Sequence, residues 1–235
     1  MKKQEKGIVR PRPLPNFNRP LVLHLPFLPA NCELLSGIQS KAKAIKQIEG
    51  CSLYLLSESV LIYGAMGAPL AVMAYERLIA SGSQEIILLG LAGSLSSDLK
   101  IGQAVLVEKA IADEGTSRHY FPGKLVFHSS PDLNDRIKRK LRENDLAFSL
   151  ATVVTTDAPY RETKTWVLQF RKNGAQAVDM ETSALLAVAS FYGIKASALL
   201  IISDELYSGH WRSGFSSSLL ARKCHDYFYP FIFTS

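Results

Sequence analysis

Short apolar runs alternate along this chain with longer segments whose apolar positions recur at helical spacing. The apolar runs lie at 21–25, 58–67, 85–93, 103–112, 150–157 and 196–205, and the helical patterns at 32–48, 69–81, 131–144, 162–173, 181–192 and 216–228. Two runs, IILLGLA and SALLIIS, are almost continuously hydrophobic, which is typical of strands buried on both faces. The pattern predicts an α/β fold, a single domain in which a mixed, largely parallel, twisted sheet is flanked by helices.

A basic segment broken by prolines precedes the first predicted strand. Residues 1–20 carry a net charge of +5 out of the chain's formal +6, so the remainder is close to neutral. We interpret 1–20 as a mobile or surface-draped arm and 21–235 as the folded domain. A nucleic-acid-binding arm is the alternative, but the neutral body does not favour a nucleic-acid partner.

The cellular location is predicted from the run LVLHLPFLPANC that follows the arm. It could be the apolar segment of a signal peptide or a lipoprotein signal, but His24, Pro26 and Pro29 interrupt it. No apolar run approaches the roughly 20 residues that cross a membrane. We therefore expect a cytoplasmic protein without membrane partners.

Three widely spaced cysteines form no CxxC pair, and no histidines cluster near them. Structural disulfides and a zinc site are therefore not expected, and no metal or organic cofactor is predicted.

Candidate chemistry lies where the predicted strands end, because ligands of open α/β sheets bind beyond the carboxyl ends of the strands. Gly67 in GAMGAP opens a helix, and Ala92 and Gly93 lie in the turn GLAGS, so both loops would let a ligand approach the backbone or would simply be tight turns. The strand IISDEL delivers Asp204 into the same region, either as a proton donor with a raised pKa or as a helix cap. Glu181 stands before a nearly all-apolar helix, where the helix dipole alone could account for it.

These segments together carry a family resemblance. The stretch VDMETSALLAVASFYGIKASALLIISDEL resembles the purine and uridine phosphorylase superfamily, in which a Met-Glu pair opens a buried helix and the next strand ends in Ser-Asp. GAMGAPLAVMAYERL is similar to the family's glycine loop and first large helix, and IILLGLAGSL to its central strand. DEGTSRHYFPG and TTDAPY are similar to the family's segments at the sugar and base. Five pieces in the right order identify the chain as a member of this superfamily.

The resemblance implies a role for each matching residue. Glu181 would accept hydrogen bonds from the ribose 2′- and 3′-hydroxyls, with Met180 packed beneath the sugar. Asp204 would protonate or hydrogen-bond the departing base at N7. Tyr160 would lie against the base.

Two further assignments stay open. Arg161 would donate a hydrogen bond to a pyrimidine carbonyl or form a surface ion pair with Glu162. His119 would face the 5′ side of the sugar or be an ordinary loop histidine. Asp204 points to purines and Arg161 to pyrimidines, so the sequence leaves the base open.

The sequence departs from the family pattern at the phosphate site. The first strand's turn lacks the GDPxR motif, and the arginine and hydroxyl positions of the central strand are occupied by Leu88 and Leu91. Losing guanidinium contacts removes roughly 1.5–3 kcal/mol per charged hydrogen bond, so phosphate binding is disfavoured. The nucleosidases of the superfamily use water, activated by a glutamate in the first-strand turn. Glu33 is the available candidate, or else an exposed acid in the first turn of a helix.

We therefore expect an enzyme that cleaves the N-glycosidic bond of a nucleoside, as a phosphorylase with an altered phosphate site or as a nucleosidase that uses water. Phosphate is a possible co-substrate. The alternatives are a catalytically silent nucleoside-binding protein of the same fold and a nucleic-acid-associated protein acting through the arm. The resemblance also implies a homo-oligomer, as a dimer, trimer or hexamer.

Overall fold

Strands and helices alternate along most of the chain, as the apolar pattern predicts. The computed structural model describes residues 7–15, 17 and 19–233. Its strands are β1 Leu21–Leu25, β2 Ala44–Ile48, β3 Cys51–Leu55, β4 Ser59–Tyr63, β5 Glu85–Ser94, β6 Ala104–Asp113, β7 Val126–His128, β8 Ser149–Thr156, β9 Ala177–Asp179, β10 Lys195–Glu205 and β11 Arg212–Ser213. Its helices are α1 Leu34–Lys41, α2 Ala68–Ala80, α3 Ser117–Tyr120, α4 Pro131–Glu143, α5 Lys164–Lys172, α6 Thr182–Tyr192 and α7 Ser218–Phe233, with a 3₁₀ turn at Pro159–Arg161.

One mixed sheet contains these strands, and part of it closes on itself. The order runs β11-β10-β6-β8-β9-β5-β1-β4-β3-β2, and β10 also pairs with β5, so that β5, β10, β6, β8 and β9 form a ring. The longest pairings, β10 with β5 and β6 with β8, are parallel, whereas β10 with β6 and β5 with β9 are antiparallel. The predicted α/β class and mixed sheet are confirmed.

The ring opens along the edge of β5. β1 pairs with the first part of β5 as far as Leu88, and β9 pairs only with Gly93 and Ser94 on that side. Among the described residues, 89–92 of β5 therefore have no strand partner there. Leu91 and Ala92 border a cavity at this opening.

Helices cover both faces of the sheet, which explains the continuous hydrophobic strands. Along β10, Leu200 and Ile202 pack into the cluster that includes α2 and α6. Leu199 and Ile201 pack into the cluster that includes α1, α4 and α7. Alternate residues of a strand point to opposite faces, so a strand between two apolar layers has no polar face.

The helix predicted at 32–48 is wrong in its second half. α1 ends at Lys41, and the chain continues as the hairpin of β2 and β3. The two hairpin-turn residues, Glu49 and Gly50, have φ of 46° and 80°, the left-handed conformation of a tight two-residue turn. The isoleucines at 45 and 48 are at helical spacing, but Ile45 is exposed and Ile48 buried. The tight turn at Glu49 and Gly50 therefore makes this segment a β-hairpin, although its isoleucines are at helical spacing.

The predicted arm is described only in part, because Lys2, Lys3 and Lys6 lie outside the described residues. Leu14 and Phe17 are partly buried against the core, and the Leu14 N–H donates to Ser81 Oγ at 2.8 Å. The division between arm and domain stays a prediction. Within the described part of the chain, no helix combines the length and apolar character needed to cross a membrane.

Candidate active site

A cavity of about 650 Å³ lies where the carboxyl ends of the strands meet, as the fold predicts. Segments after β1, β4 and β8, the ends of β5 and β10, and the junction of β9 with α6 form it. Its lining residues are Pro26, Phe27, Met66, Leu91, Ala92, Gly93, Pro159, Tyr160, Glu162, Val178, Asp179, Met180, Glu181, Ser203, Asp204, Leu206, Trp211 and Phe215. The size suits a nucleoside-sized ligand.

Glu181 occupies the N-cap position of α6, but its carboxyl group does not cap that helix. Its Oε1 accepts a hydrogen bond from the N–H of Gly67 at 2.6 Å. Asp179 bonds the helix end instead, since its Oδ2 accepts from the Thr182 N–H at 2.9 Å and from the Thr182 hydroxyl. The helix end therefore does not account for the position of Glu181, whose carboxyl group is joined to the glycine loop at the cavity.

A buried hydrogen-bond network holds the start of α6 in place. The Thr155 hydroxyl donates to Asp179 Oδ1 at 2.6 Å and accepts from the Ser183 N–H at 2.9 Å. The Ser183 hydroxyl donates to Glu114 Oε1 at 2.9 Å. We call Gly67, Asp179, Met180 and Glu181 the Glu181 wall. Because its partners are buried backbone and short side chains, this wall is rigid.

Burial dominates the electrostatics of the Glu181 wall. Desolvation, and then the charge of Asp179, raise the pKa of Glu181 to about 8 against the N–H bonds from Gly67 and Met180. Desolvation also raises the pKa of Asp179. On β1, burial lowers the pKa of His24 to about 3, so its imidazole is neutral and adds no positive charge.

Asp204 is aimed by a β-bulge near the end of β10. The pairing with β5 passes from Ile202 opposite Ala92 to Asp204 opposite Gly93, which leaves Ser203 as the extra residue. The Ser203 hydroxyl donates to Asp204 Oδ1 at 2.6 Å.

The close approach of Asp204 to β5 favours glycine at 93, because any larger residue would push neighbouring side chains aside. A Cβ on Gly93 would lie 2.6 Å from Leu206 Cδ1 and 3.1 Å from Asp204 Oδ2.

The indole N–H of Trp211 donates to the other oxygen of Asp204, Oδ2, at 2.9 Å. Burial raises the pKa of Asp204, while the hydrogen bonds from Ser203 and Trp211 oppose the shift. Glu162 lines the cavity nearby, and burial followed by the charge of Asp204 raises its pKa to about 7. We call Gly93, Glu162, Ser203, Asp204 and Trp211 the Asp204 wall.

Most of the predicted site residues meet in this cavity. Asp204, Glu181, Met180, Tyr160, Ala92 and Gly93 line it, and Gly67 joins it through its bond to Glu181. The side chain of Tyr160 is 101% exposed, at the mouth.

Three predicted residues do not line the cavity. Arg161 and His119 are exposed, and Arg161 stands between the lining residues Tyr160 and Glu162 without lining the cavity itself. Glu33 is exposed at the N-cap position of α1, in a separate depression with Ser218 and His225.

The sequence interpretation did not identify three polar residues of the two walls, which are Asp179, Glu162 and Trp211. Glu162 was considered only as a surface partner of Arg161, although its place beside the TTDAPY loop was a usable signal. The sequence gives no indication that Trp211 belongs to the site, because its contact with Asp204 depends on a hairpin that the apolar pattern does not predict.

The cavity has an unusual charge balance for a phosphate-using site. Four carboxyl groups line it, those of Glu162, Asp179, Glu181 and Asp204, and none of the described lining residues is arginine, lysine or histidine. Leu88, at the predicted arginine position, is fully buried in the core, whereas Leu91 lines the cavity. Within 7–15, 17 and 19–233, no group of three or more His, Cys, Asp or Glu could hold a metal ion.

Comparisons with known proteins agree with this fold. The family model described as the phosphorylase superfamily matches residues 31–226. The DeoD-type purine nucleoside phosphorylase of Bacillus cytotoxicus is 32% identical over 149 residues, which cover 61% of this chain and 62% of that protein. The match thus spans less than two thirds of the length of this curated relative.

Two solved structures share the fold. Purine nucleoside phosphorylase from Toxoplasma gondii, in complex with immucillin-H, aligns with a TM-score of 0.75 and 18% identity over 91% of this chain and 89% of that one. The 5′-methylthioadenosine/S-adenosylhomocysteine nucleosidase from Helicobacter pylori aligns with a TM-score of 0.73 and 19% identity over 92% and 98%. Because the family model matches most of its length, the chain belongs to the phosphorylase superfamily.

Proposed function

We propose that this protein cleaves the N-glycosidic bond of a purine nucleoside and that water, rather than phosphate, is the acceptor. The observation that carries the proposal is the cavity itself: it joins the Glu181 wall to the Asp204 wall and presents carboxyl groups without a cationic side chain among its described lining residues. Membership of the phosphorylase superfamily supports the reaction class.

The Glu181 wall would hold the sugar. A carboxylate accepts two hydrogen bonds at once, which suits the adjacent 2′- and 3′-hydroxyls of ribose. The N–H groups of Gly67 and Met180 hold the carboxyl group, whose two oxygens have about four acceptor positions and so keep others for the diol. The raised pKa of Glu181 applies to the cavity without ligand. The two hydroxyl donors of the bound sugar would favour the ionised carboxylate and so lower the pKa of Glu181.

The Asp204 wall would bind and protonate the base. As the C1′–N9 bond breaks, the electron pair of the bond moves to the purine and the ribose acquires oxocarbenium character. A proton from Asp204 to N7 neutralises the departing base, and the raised pKa of Asp204 suits this task. Arg161 is exposed and does not line the cavity, so the contact that favoured a pyrimidine lacks support.

Water suits the charge of the cavity better than phosphate does. A phosphate dianion would enter beside acidic side chains, and none of the described residues that line the cavity carries a guanidinium or ammonium group to offset its charge. Neutral water has no such penalty. Its oxygen bonds to C1′ as the C1′–N9 bond breaks, and the proton that it loses balances the proton that Asp204 gives to the base, so the products are free ribose and the base.

The test is base release from a panel of adenosine, inosine, guanosine, uridine and methylthioadenosine. We expect release from one or more purine nucleosides and none from uridine. Release from uridine alone would contradict the assignment of the base. No release from any member, in a preparation whose folding is verified by circular dichroism, would contradict the enzymatic reading.

A second candidate is a nucleoside-binding protein without turnover. It is favoured by the position of Glu33 outside the cavity, because the turn after β1 then contributes Pro26 and Phe27 and no acid or base. Nucleoside binding by calorimetry without base release, and unchanged by Asp204→Asn, would identify this case.

The homo-oligomer and the cytoplasmic location stay predictions. Sedimentation of the purified chain tests the oligomer, and cell fractionation tests the location.

A further inference from the structure

The hairpin formed by β10 and β11 extends from Asp204 and returns to it. Asp204 pairs with Ser213 and Glu205 with Arg212 in antiparallel register. The buried carboxylate of Glu205 accepts from the Ile101 N–H at 3.2 Å and forms an ion pair with Arg212 at 3.4 Å. The hairpin is therefore fixed to the body of the protein at its base.

Close backbone packing also holds the second strand of the hairpin where the chain leaves it, opposite Ser203. The Gly214 N–H donates to the Ser203 carbonyl at 2.9 Å. A Cβ at Gly214 would lie 2.6 Å from that carbonyl oxygen and 2.6 Å from Ile101 Cγ2, so only glycine fits. Trp211 precedes this packed segment, which holds its indole beside Asp204.

The contact between Trp211 and Asp204 is not needed to bury the indole. The side chain is 66% exposed, yet its Nε1–H points inward to Asp204 Oδ2 at 2.9 Å. An indole N–H only donates hydrogen bonds, so it stabilises a carboxylate at this position. Ser203 bonds the other oxygen, and the two contacts together fix the plane of the carboxyl group.

We propose that Trp211 is a positioning residue that orients the Asp204 carboxyl group through its indole N–H and lowers the proton affinity of that group. This inference rests on the proposed role of Asp204 as the proton donor. The hydrogen bond limits the effect of burial, so that Asp204 gives up its proton more readily.

Other ionisable groups share the cavity with Asp204. Glu162 lies on the segment between β8 and α5, and the charge of Asp204 contributes to raising its pKa. On β5, Gly93 lies against Asp204 and does not titrate, whereas the Glu181 wall brings Asp179 and Glu181 to the same cavity. On the hairpin, Glu205 and Arg212 pair with each other. The variants Asp204→Asn and Glu162→Gln therefore show which of the two carboxyl groups produces a measured titration.

The first experiment needs no turnover and uses the two tryptophans of the chain. In Trp166→Phe, Trp211 is the remaining fluorophore, and we expect its emission to titrate with pH. The titration should persist in Trp166→Phe/Glu162→Gln and disappear in Trp166→Phe/Asp204→Asn. An emission that is independent of pH, or a titration that survives Asp204→Asn, would overturn the contact.

The second experiment measures kcat/KM against pH for Trp211→Phe, which keeps an aromatic ring and loses the N–H. If Asp204 is the acid, activity falls as pH rises through its pKa, and this descending limb should move to higher pH by about one pH unit. Trp166→Phe is the matched control, because Trp166 donates to Asp113 at 2.7 Å outside the cavity. An unmoved limb in Trp211→Phe would refute the positioning role. Absence of turnover in the wild type refutes the proposed function and leaves the fluorescence result to decide the contact.

Discussion

The Glu181 wall and the Asp204 wall line the same cavity but are held in different ways. Glu181 and Asp179 are each 5% exposed, and their partners are backbone N–H groups and short buried side chains. Asp204 is held by the buried Ser203 but also by Trp211, which is 66% exposed on a hairpin, and it shares the cavity with the fully exposed Tyr160. The comparison teaches that the proposed sugar side is part of the rigid core, whereas the base side uses surface segments that can change without disturbing that core.

The largest effect should come from Glu181→Gln. The amide cannot give the sugar two charged acceptor bonds, each worth about 1.5–3 kcal/mol, so kcat/KM should fall by roughly 10²–10⁴-fold. Glu33→Gln is the matched control, since Glu33 is exposed outside the cavity and should keep wild-type rates. Equal losses in the two variants would contradict the comparison of sites.

Asp204→Asn should have the next effect, and its size should depend on the leaving group. Loss of a general acid slows reactions by about 10²–10⁴-fold, so purine release should slow by at least 10². A p-nitrophenyl riboside needs no protonation of its leaving group and should be cleaved nearly as well as by the wild type. Glu181→Gln should impair cleavage of both substrates. Equal loss on both substrates in Asp204→Asn would mean that Asp204 acts other than as an acid.

Gly93→Ala should have an intermediate effect confined to the Asp204 wall. The new Cβ would lie 2.6 Å from Leu206 Cδ1 and 3.1 Å from Asp204 Oδ2, so Asp204 must shift. We expect about a tenfold loss of kcat/KM with purines, since small displacements of a catalytic group are costly. Gly37→Ala in α1, where the added Cβ meets Phe233 at an ordinary 3.6 Å, is the control. A normal rate in Gly93→Ala would show that the spacing does not matter.

The smallest effect should be on the pH dependence of stability. Folding raises the pKa of Glu181 from 4.5 to about 8. Between these values the folded state keeps a proton that the unfolded state releases. The contribution of this proton to the stability of the folded state is therefore complete below about pH 4.5, declines as the pH rises, and is lost above about pH 8.

Tm measured against pH checks this contribution. Glu181→Gln should flatten the decline over the whole interval. Glu162→Gln should flatten it only below about pH 7, because the pKa of Glu162 is about 7. An unchanged slope in Glu181→Gln would mean that its carboxyl group titrates normally.

The local parts of this fold could be predicted, whereas the pairing of distant strands could not. The apolar spacing of α6 and the buried run of β10 identify both elements with nearly correct ends. The ring that brings β10 beside both β5 and β6 depends on register between segments far apart in the chain, which periodicity does not encode. The hairpin of β2 and β3 was missed because its isoleucines imitate helical spacing.

The residues of the candidate site divide in the same way, into those that local sequence patterns identify and those that only the folded structure brings together. Glu181 and Asp204 were identified because each stands beside an element with a strong pattern and within a family motif. Glu162 and Trp211 were missed because their contacts with Asp204 arise only after folding. Glu33 was suggested by its place after the first strand, but the start of α1 directs it to another part of the surface.

The most direct test of the central claim is to identify the sugar product of purine nucleoside cleavage with and without saturating phosphate. The absence of cationic lining residues predicts free ribose in both cases, at the same rate. Release that requires phosphate and yields ribose 1-phosphate would contradict the account, because the described cavity would then bind a dianion without a cationic side chain.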